Sequence, residues 1–510
     1  MSAPTTTLQA AGDAPLDLDV LFAAITPAYA VEAGPRRSLR RTSLDTFDGL
    51  LRAAGLRLEH HRPARRSGTE QLLLTRPDGP TLTVPAAGLT WPAMTTALPE
   101  SPLRDVVAAA ATIRALMVAR EESRRARRLE VRNNDGKVVV RLDLDEPVAA
   151  DGRPAVVSVR ELRGYADQAR RVERLLTGAG LVPAEEPRTP KVAAAAAASD
   201  LPDVAPPDRD GPAALLLAAA LAGFQREMDL NLPGTIDDVD SEFLHDFRVA
   251  VRRTRATLKL GRPSLPAVVR SDWEPAFKWL GDVTTPVRDL DVYELDLPRM
   301  AGWLVAADAS DLDAFAEHLR RRRTAQRKTL VRTLRSARYR THRAQWAQLL
   351  TDLATASAEH GVISAGELAD AGISQAHKRV AKDGGAIDAD SPAQDLHDLR
   401  KRCKELRYAL EVFAPVLDPV ARKAAVADLK GLQDVLGRFQ DTEVQRHALR
   451  AFAEEMVADG TAAGALLAMG EMIGHLDAEQ ARARAEFAGA FATFVRPAGT
   501  RRMQQLGGAK

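Results

Sequence analysis

Leu244–Leu258 reads LHDFRVAVRRTRATL, and Leu396–Leu410 reads LHDLRKRCKELRYAL, the same pattern displaced by 152 residues. The same offset carries Phe277–Val292, FKWLGDVTTPVRDLDV, onto Leu429–Val444, LKGLQDVLGRFQDTEV. Two ungapped matches in one register indicate two copies of a single unit. At about 100° per residue on a helix, His245, Arg248, Arg252, Arg255 and Lys259 share one narrow sector, with Leu244, Phe247, Val251 and Leu258 in the adjacent one. In the second copy His397, Arg400, Lys404 and Arg407 repeat the basic line, and Leu396, Leu399, Cys403, Leu406 and Leu410 the apolar one. Each helix therefore buries one stripe and presents a row of cations roughly every 5 Å, given a rise of about 1.5 Å per residue.

Most charged helix faces are simply solvated. Such faces usually mix signs at i and i+4, whereas these stripes read as nearly all positive and return at the same positions in both copies. Closely spaced cations repel one another unless an anion lies across them, so a regular chain of negative charges is the natural counterpart. His245 and His397 read equally well as helix-start core histidines or as anion ligands. A third basic element, RRRRTAQRKTLVRTLRSARYRTHR at Arg320–Arg343, places Arg321, Lys328, Arg332 and Arg335 on one side and Leu319, Leu330 and Leu334 opposite. Basic helices also serve nucleic acids and acidic membranes. Aromatic residues make up only 5% of the chain, and Tyr339 and Tyr408 form no stacking platform, which disfavours bases as ligands.

At 510 residues the chain exceeds what one core supports, so at least two domains are expected. Lys+Arg (71) and Asp+Glu (69) nearly cancel, so any anion site must come from local arrangement of charge. Cys403 is the lone cysteine, which excludes an intramolecular disulfide, and no Cys/His cluster has zinc-site spacing. Neither a metal nor a cofactor is expected. Met1–Asp19 lacks the features of a signal peptide, and Ala213–Ala222 is too short an apolar run to span a bilayer. A cytoplasmic protein is the expectation, and the Ala/Arg-rich composition has a bacterial cast.

The Pro/Ala-rich stretch at 181–211 reads as a linker. Upstream, Arg37–Asp45, Leu56–His61, Gln71–Thr75, Leu129–Arg132, Lys137–Asp143 and Ala155–Leu162 alternate with turn signals, predicting an α+β domain over 1–180 built on an antiparallel sheet. Downstream, helical periodicity predicts an all-α, internally duplicated bundle over 212–497, with halves at about 212–360 and 361–497 and a tail at 498–510. Breaks are predicted at Pro233-Gly234, Gly261-Arg262-Pro263, Gly384-Gly385 and Pro415. The halves are expected to pack about a pseudo-twofold axis.

At the two HDxR-containing stripes and at LGDVTTPVRDLDV from Leu280, the chain resembles the conserved-histidine α-helical domain, CHAD, over roughly Pro212–Pro497. The resemblance implies a basic groove between two helical halves that binds inorganic polyphosphate without catalysis, and association with polyphosphate granules. It carries over to His245, Arg248, Arg252, Arg255, His397, Arg400, Lys404 and Arg407, with Lys278 and Lys430 as repeat-paired groove lysines. Lys259, Arg321, Lys328, Arg332 and Arg335 complete the candidate set, and neither a specific nucleic acid nor a membrane is an expected partner. RRTSLDTFDGLLRAAGLRLEHHR at Arg40–Arg62, with VVSVRELRGYADQARRVERLLTGAGL at Val156–Leu181, resembles a degenerate triphosphate-tunnel (CYTH) domain. Active members open with E-x-E-x-K, which is absent before Arg40, and Glu161 stands where several acids are expected. No catalytic residue is assigned. The alternative is a triphosphate-processing enzyme whose helical module captures substrate.

Overall fold

A computed structural model of the chain describes residues 5–10, 17–64, 69–77, 79–148, 154–184, 192, 201–356 and 363–506. It divides into two compact units, Met1–Ala198 and Ser199–Lys510. In the first, strands β1 (Thr5–Gln9), β2 (Ala30–Ala33), β3 (Arg37–Asp45), β4 (Arg57–Pro63) and β5 (Gln71–Arg76) are followed by β6 (Gly79–Pro85) and β7 (Met117–Arg132). β8 (Val138–Pro147), β9 (Val156–Glu161) and β10 (Val182–Pro183) complete a ten-stranded sheet ordered β10-β1-β9-β8-β7-β3-β4-β5-β6, with β2 paired to β7. All pairings are antiparallel. Helices α1 (Leu18–Ile25), α2 (Leu50–Ala53), α3 (Pro102–Ala111) and α4 (Ala166–Gly178) cover its apolar face.

The second unit is all helical. The first copy holds α5 (Ala213–Asp237), α6 (Ser241–Leu260), α7 (Ala267–Ala301), α8 (Asp313–Leu334) and α9 (Ala337–Ala356). The second copy holds α10 (Ala365–Gly385), α11 (Ala393–Val412), α12 (Pro419–Ala458), α13 (Ala463–Val495) and α14 (Pro497–Gln505). The starts of α5, α6 and α7 differ from those of α10, α11 and α12 by the sequence offset of 152. One continuous core draws on both copies, from Leu217, Phe247 and Phe277 to Leu399, Leu406 and Leu429. Neither copy closes a core alone, which is the physical reason for the pairing.

Repeat-equivalent residues meet at several points. Ala213 N–H donates to the Ile363 carbonyl at 3.0 Å, and Ala365 N–H donates to the Gly211 carbonyl at 2.8 Å. These bonds exchange under the 152 offset and form an antiparallel bridge between Pro212 and Ser364. The Tyr293 hydroxyl donates to the carbonyl of Gln445, its own equivalent, at 3.1 Å. A residue touches its equivalent only near a twofold axis, so the copies are related by a pseudo-twofold passing near these pairs.

Three expectations are corrected. α5 runs through Pro233-Gly234 without ending. Proline removes one N–H, but the turn is held by packing: Phe243 lies so close that a Cβ on Gly234 would stand 2.3 Å from its ring. Of the expected tail at 498–510, residues 498–505 form most of α14 and Leu506 is buried in the core, while 507–510 lie outside the described residues. Within the expected linker, 201–211 lies on the helical unit: Leu201 is buried there, and Arg209 bonds the Val416 carbonyl at 2.8 Å and Asp370 at 2.7 Å. Residues 185–191 and 193–200 of it lie outside the described residues.

Replacing Gly234 with Ala adds helix propensity worth about 1 kcal/mol, but it must displace the buried Phe243 ring. The Gly234→Ala chain is expected to lose roughly 1–3 kcal/mol of stability, read from urea unfolding monitored by helix circular dichroism.

Candidate functional site

Asp240 fixes the start of α6 by accepting the Glu242 and Phe243 N–H groups at 2.9 and 3.3 Å. With the start set, Phe247, Val251 and Leu258 turn into the core, and the basic stripe takes the neighbouring face. α11 buries Leu399, Cys403, Leu406 and Leu410 in the same way and packs against α6.

The two stripes come together at Arg252 and Lys404, which are repeat equivalents. Lys404 reaches solvent, yet packing around its ammonium, with Arg400 and Arg252 close beside it, lowers its pKa to about 8. Neither Arg252 nor Lys404 has a hydrogen bond or ion pair among the described residues. Arg248 donates to the Gly281 carbonyl at 3.1 Å and to the Thr284 and Thr285 hydroxyls at 2.8 and 2.9 Å, but to no carboxylate. Burial, with Arg252 and Arg288 nearby, lowers its pKa to about 10, so it remains charged at neutral pH, and its Nε is buried without an acceptor. Arg255 lies over Gly281, where an added Cβ would stand 3.4 Å from its guanidinium. Burial and the neighbouring Arg288 push the His245 pKa below its ordinary value, against the pull of Glu242 and Asp246, which leaves a neutral imidazole at pH 7. Lys259, at the end of α6, is exposed.

The second stripe differs, which corrects the expectation of two nearly all-positive rows. Arg400 is paired to Asp441 at 2.8 Å and Arg407 to Glu411 at 2.6 Å. Glu411 also takes Arg253 of the first copy at 3.2 Å. His397 shares a hydrogen bond with the Gln440 side chain at an open cleft that Glu443 and His447 also line. Lys278 and Lys430 form equivalent exposed pairs with Asp282 and Asp434, at 2.7 and 2.8 Å.

On α8, Arg321 and Arg335 reach Asp459 and Asp237, at 3.6 and 3.8 Å, while Lys328 and Arg332 are exposed. None of the four bonds to α6 or α11 among the described residues. The inward arginines of α8 are Arg323, paired to Asp238 and Asp291 at 2.7 and 2.6 Å, and Arg327, which donates to the Thr235 and Ile236 carbonyls. Sequence reasoning missed Arg288, which donates to the Ser241 carbonyl at 3.0 Å and to Glu242 at 3.1 Å. The signal was available, since Arg288 lies within the repeated segment LGDVTTPVRDLDV.

The polar face of the N-terminal sheet is also rich in arginine, but there arginines face acids. Arg41 pairs with Asp145 and lies 3.7 Å from Glu59, while Arg124, buried, meets Asp145 at 2.7 Å and Glu122 at 3.8 Å. Burial opposes ionisation of Glu59, yet the hydrogen bond from His61 with Arg41 and Arg57 nearby holds its carboxyl down at about 2. β1 reads TTTLQ; Leu8 is buried, so Thr7 and Gln9 take the other face and the strand supplies no acid. Among the described residues no cluster of three or more His, Cys, Asp or Glu is arranged to hold a metal, and no helix is long and apolar enough to cross a membrane.

Residues 219–450 match the CHAD domain family. No curated protein matches the chain. Among solved structures, the chain is similar to the CHAD domain of the plant Ricinus communis, at 26% identity over 57% of this chain and 95% of that one, with a TM-score of 0.48. It is similar to PptA of Streptomyces chartreusis at 19% identity, over 55% of this chain and 99% of that one, with a TM-score of 0.42. A putative adenylyl cyclase from Hippeastrum with a dominant triphosphatase activity matches at 16% identity, over 37% of this chain and 93% of that one, with a TM-score of 0.28. The family match takes in both HDxR stripes, so the helical unit of this chain carries its CHAD likeness at residues 219–450.

Proposed function

We propose that the CHAD unit is a non-catalytic binding module for inorganic polyphosphate, with phosphates lying along the trough where α6 and α11 meet. The observation that carries this reading is the meeting of Arg252 with its repeat equivalent Lys404, both without an acid partner. Like charges brought together on a folded surface cost free energy, which a bound anion offsets. Arginine suits the task, because its planar fork can hold two oxygens of one phosphate by charge-assisted hydrogen bonds. A linear polymer with a charge on every unit matches a row of cations on a helix better than a single small anion does. Binding should weaken as salt rises, since counterions released by the polymer are then more costly to release.

For the N-terminal unit the reading is likewise non-catalytic. Its acids Glu59, Glu122 and Asp145 are each engaged by arginine, which competes directly with any divalent cation, and β1 offers hydroxyls and an amide in place of carboxylates. Cytoplasmic residence and association with polyphosphate granules belong to the same proposal.

Reversing charge at the trough with Arg252→Glu and Lys404→Glu together is expected to abolish retention on immobilised polyphosphate while helix circular dichroism stays native; unchanged retention would remove the trough from consideration. In a phosphate-release assay with tripolyphosphate and magnesium or manganese, the full chain is expected to release nothing above the buffer blank. Release that disappears in a Glu59→Gln chain would instead place hydrolysis in the N-terminal sheet.

A further inference from the structure

Repeat equivalents make equal partners only if their surroundings are equal, and along α6 and α11 they are not. Arg252 and Arg255 have no acid partner among the described residues, and Arg248 holds only backbone and hydroxyl oxygens. Their equivalents in the second copy are Lys404, Arg407 and Arg400. Of these only Lys404 makes no ion pair, although Asp441 is near enough to pull on its charge; Glu411 holds Arg407 at 2.6 Å and Asp441 holds Arg400 at 2.8 Å. The difference has two sources in the sequence. Glu411 stands at the position equivalent to Lys259, a reversal of charge between the copies. Asp441 is the equivalent of Asp289, which makes no ion pair with Arg248; burial raises its pKa even with Arg248 and Arg288 near.

Glu411 also reaches Arg253 of the first copy at 3.2 Å, so one carboxylate takes a cation from each half. The Glu411 side chain is 22% exposed and that of Arg407 35%, so this pair is partly shielded from water and holds better than a fully solvated one, whereas Asp441, at 64%, holds Arg400 from the solvent side. A carboxylate resting on arginine presents the same acceptor chemistry as a phosphate oxygen. A phosphate that reaches Arg407 or Arg400 must share the guanidinium with that carboxylate and meet its charge.

We infer that the trough is one-sided: phosphate is anchored by Arg248, Arg252 and Arg255 together with Lys404, and Glu411 and Asp441 are internal competitors that keep Arg407 and Arg400 from the ligand. The inference rests on the polyphosphate reading above and adds a length rule to it. A short oligophosphate fills the anchoring half and gains most of the available affinity. Longer chains add little where they meet the two acids, so the acids set how steeply affinity climbs with length.

The test is calorimetric titration of the full chain with tripolyphosphate and with a long-chain polyphosphate, each variant first checked for a native melting curve. Arg255→Ala is expected to weaken tripolyphosphate binding about tenfold, as loss of one charge-assisted contact does, and its equivalent Arg407→Ala clearly less, about threefold at most. Glu411→Gln combined with Asp441→Asn should tighten the long chain about tenfold, as two released cations allow. Asp352→Asn, an exposed acid on α9 outside the trough, serves as the control for simple charge removal. Equal losses from Arg255→Ala and Arg407→Ala would overturn the one-sided trough, as would a gain from the double acid variant no larger than the control's. If the unaltered chain binds neither ligand, the polyphosphate reading itself fails and this inference falls with it; if it binds both and the equivalents behave alike, only this inference fails.

Discussion

The antiparallel pair of backbone bonds between Ala213 and Ile363 and between Ala365 and Gly211 ties each copy to the same point of the other. Everything in the helical unit follows from that constraint. Once Pro212 faces Ser364, the equivalent helices α6 and α11 are brought to the same axis, and Arg252 is brought to Lys404. The apolar stripes make this arrangement obligatory, since Phe247 and Leu399 are fully buried in a single core that draws on both copies. Hydrophobic burial supplies the energy for closure, and the cations are carried along to where they repel. A site loaded in this way is poised for an anion at the expense of some stability, a common bargain at functional surfaces.

The two units differ in where arginine is left without an acid. In the N-terminal sheet, Arg41 and Arg124 sit among Glu59, Glu122 and Asp145, and each of these charges has an opposite charge within 4 Å. In the helical unit, Arg252, Arg255 and Lys404 are left without acids. Local charge balance, not the abundance of arginine, separates a structural ion-pair network from a candidate ligand site, and a chain with nearly equal totals of acid and base can hold both.

The duplication was legible in the sequence because the 152 offset is free of gaps, and the starts of three helix pairs keep it. β3 over Arg37–Asp45 was legible from its flanking turn signals. The first three quarters of β7, MVAREESRRARR, were not: the charged residues there show no simple alternation, because neighbouring strands supply compensating acids that only the register reveals. Pro233 read as a stop because a local rule cannot register Phe243 filling the space beside Gly234. At the site, the phase of each stripe was legible from heptad-like spacing, but the pairing of Arg407 with Glu411 fell one residue beyond the repeated window. Arg400 with Asp441 is a tertiary contact that helix periodicity does not encode.

Convergence of the two stripes can be read at a single atom. Crowding by protein, Arg400 and Arg252 lowers the Lys404 pKa from the ordinary 10.5 to about 8. A lysine whose folded pKa is depressed opposes folding while charged, so this penalty is present in full below about pH 8 and is relieved as pH climbs toward 10.5. The most direct measurement is an NMR titration of the Lys404 side chain in the unaltered chain and in an Arg252→Gln chain. A midpoint near 8 that moves upward when Arg252 is neutralised is the expected result; an ordinary lysine midpoint, indifferent to Arg252, would mean that the two copies do not share a site.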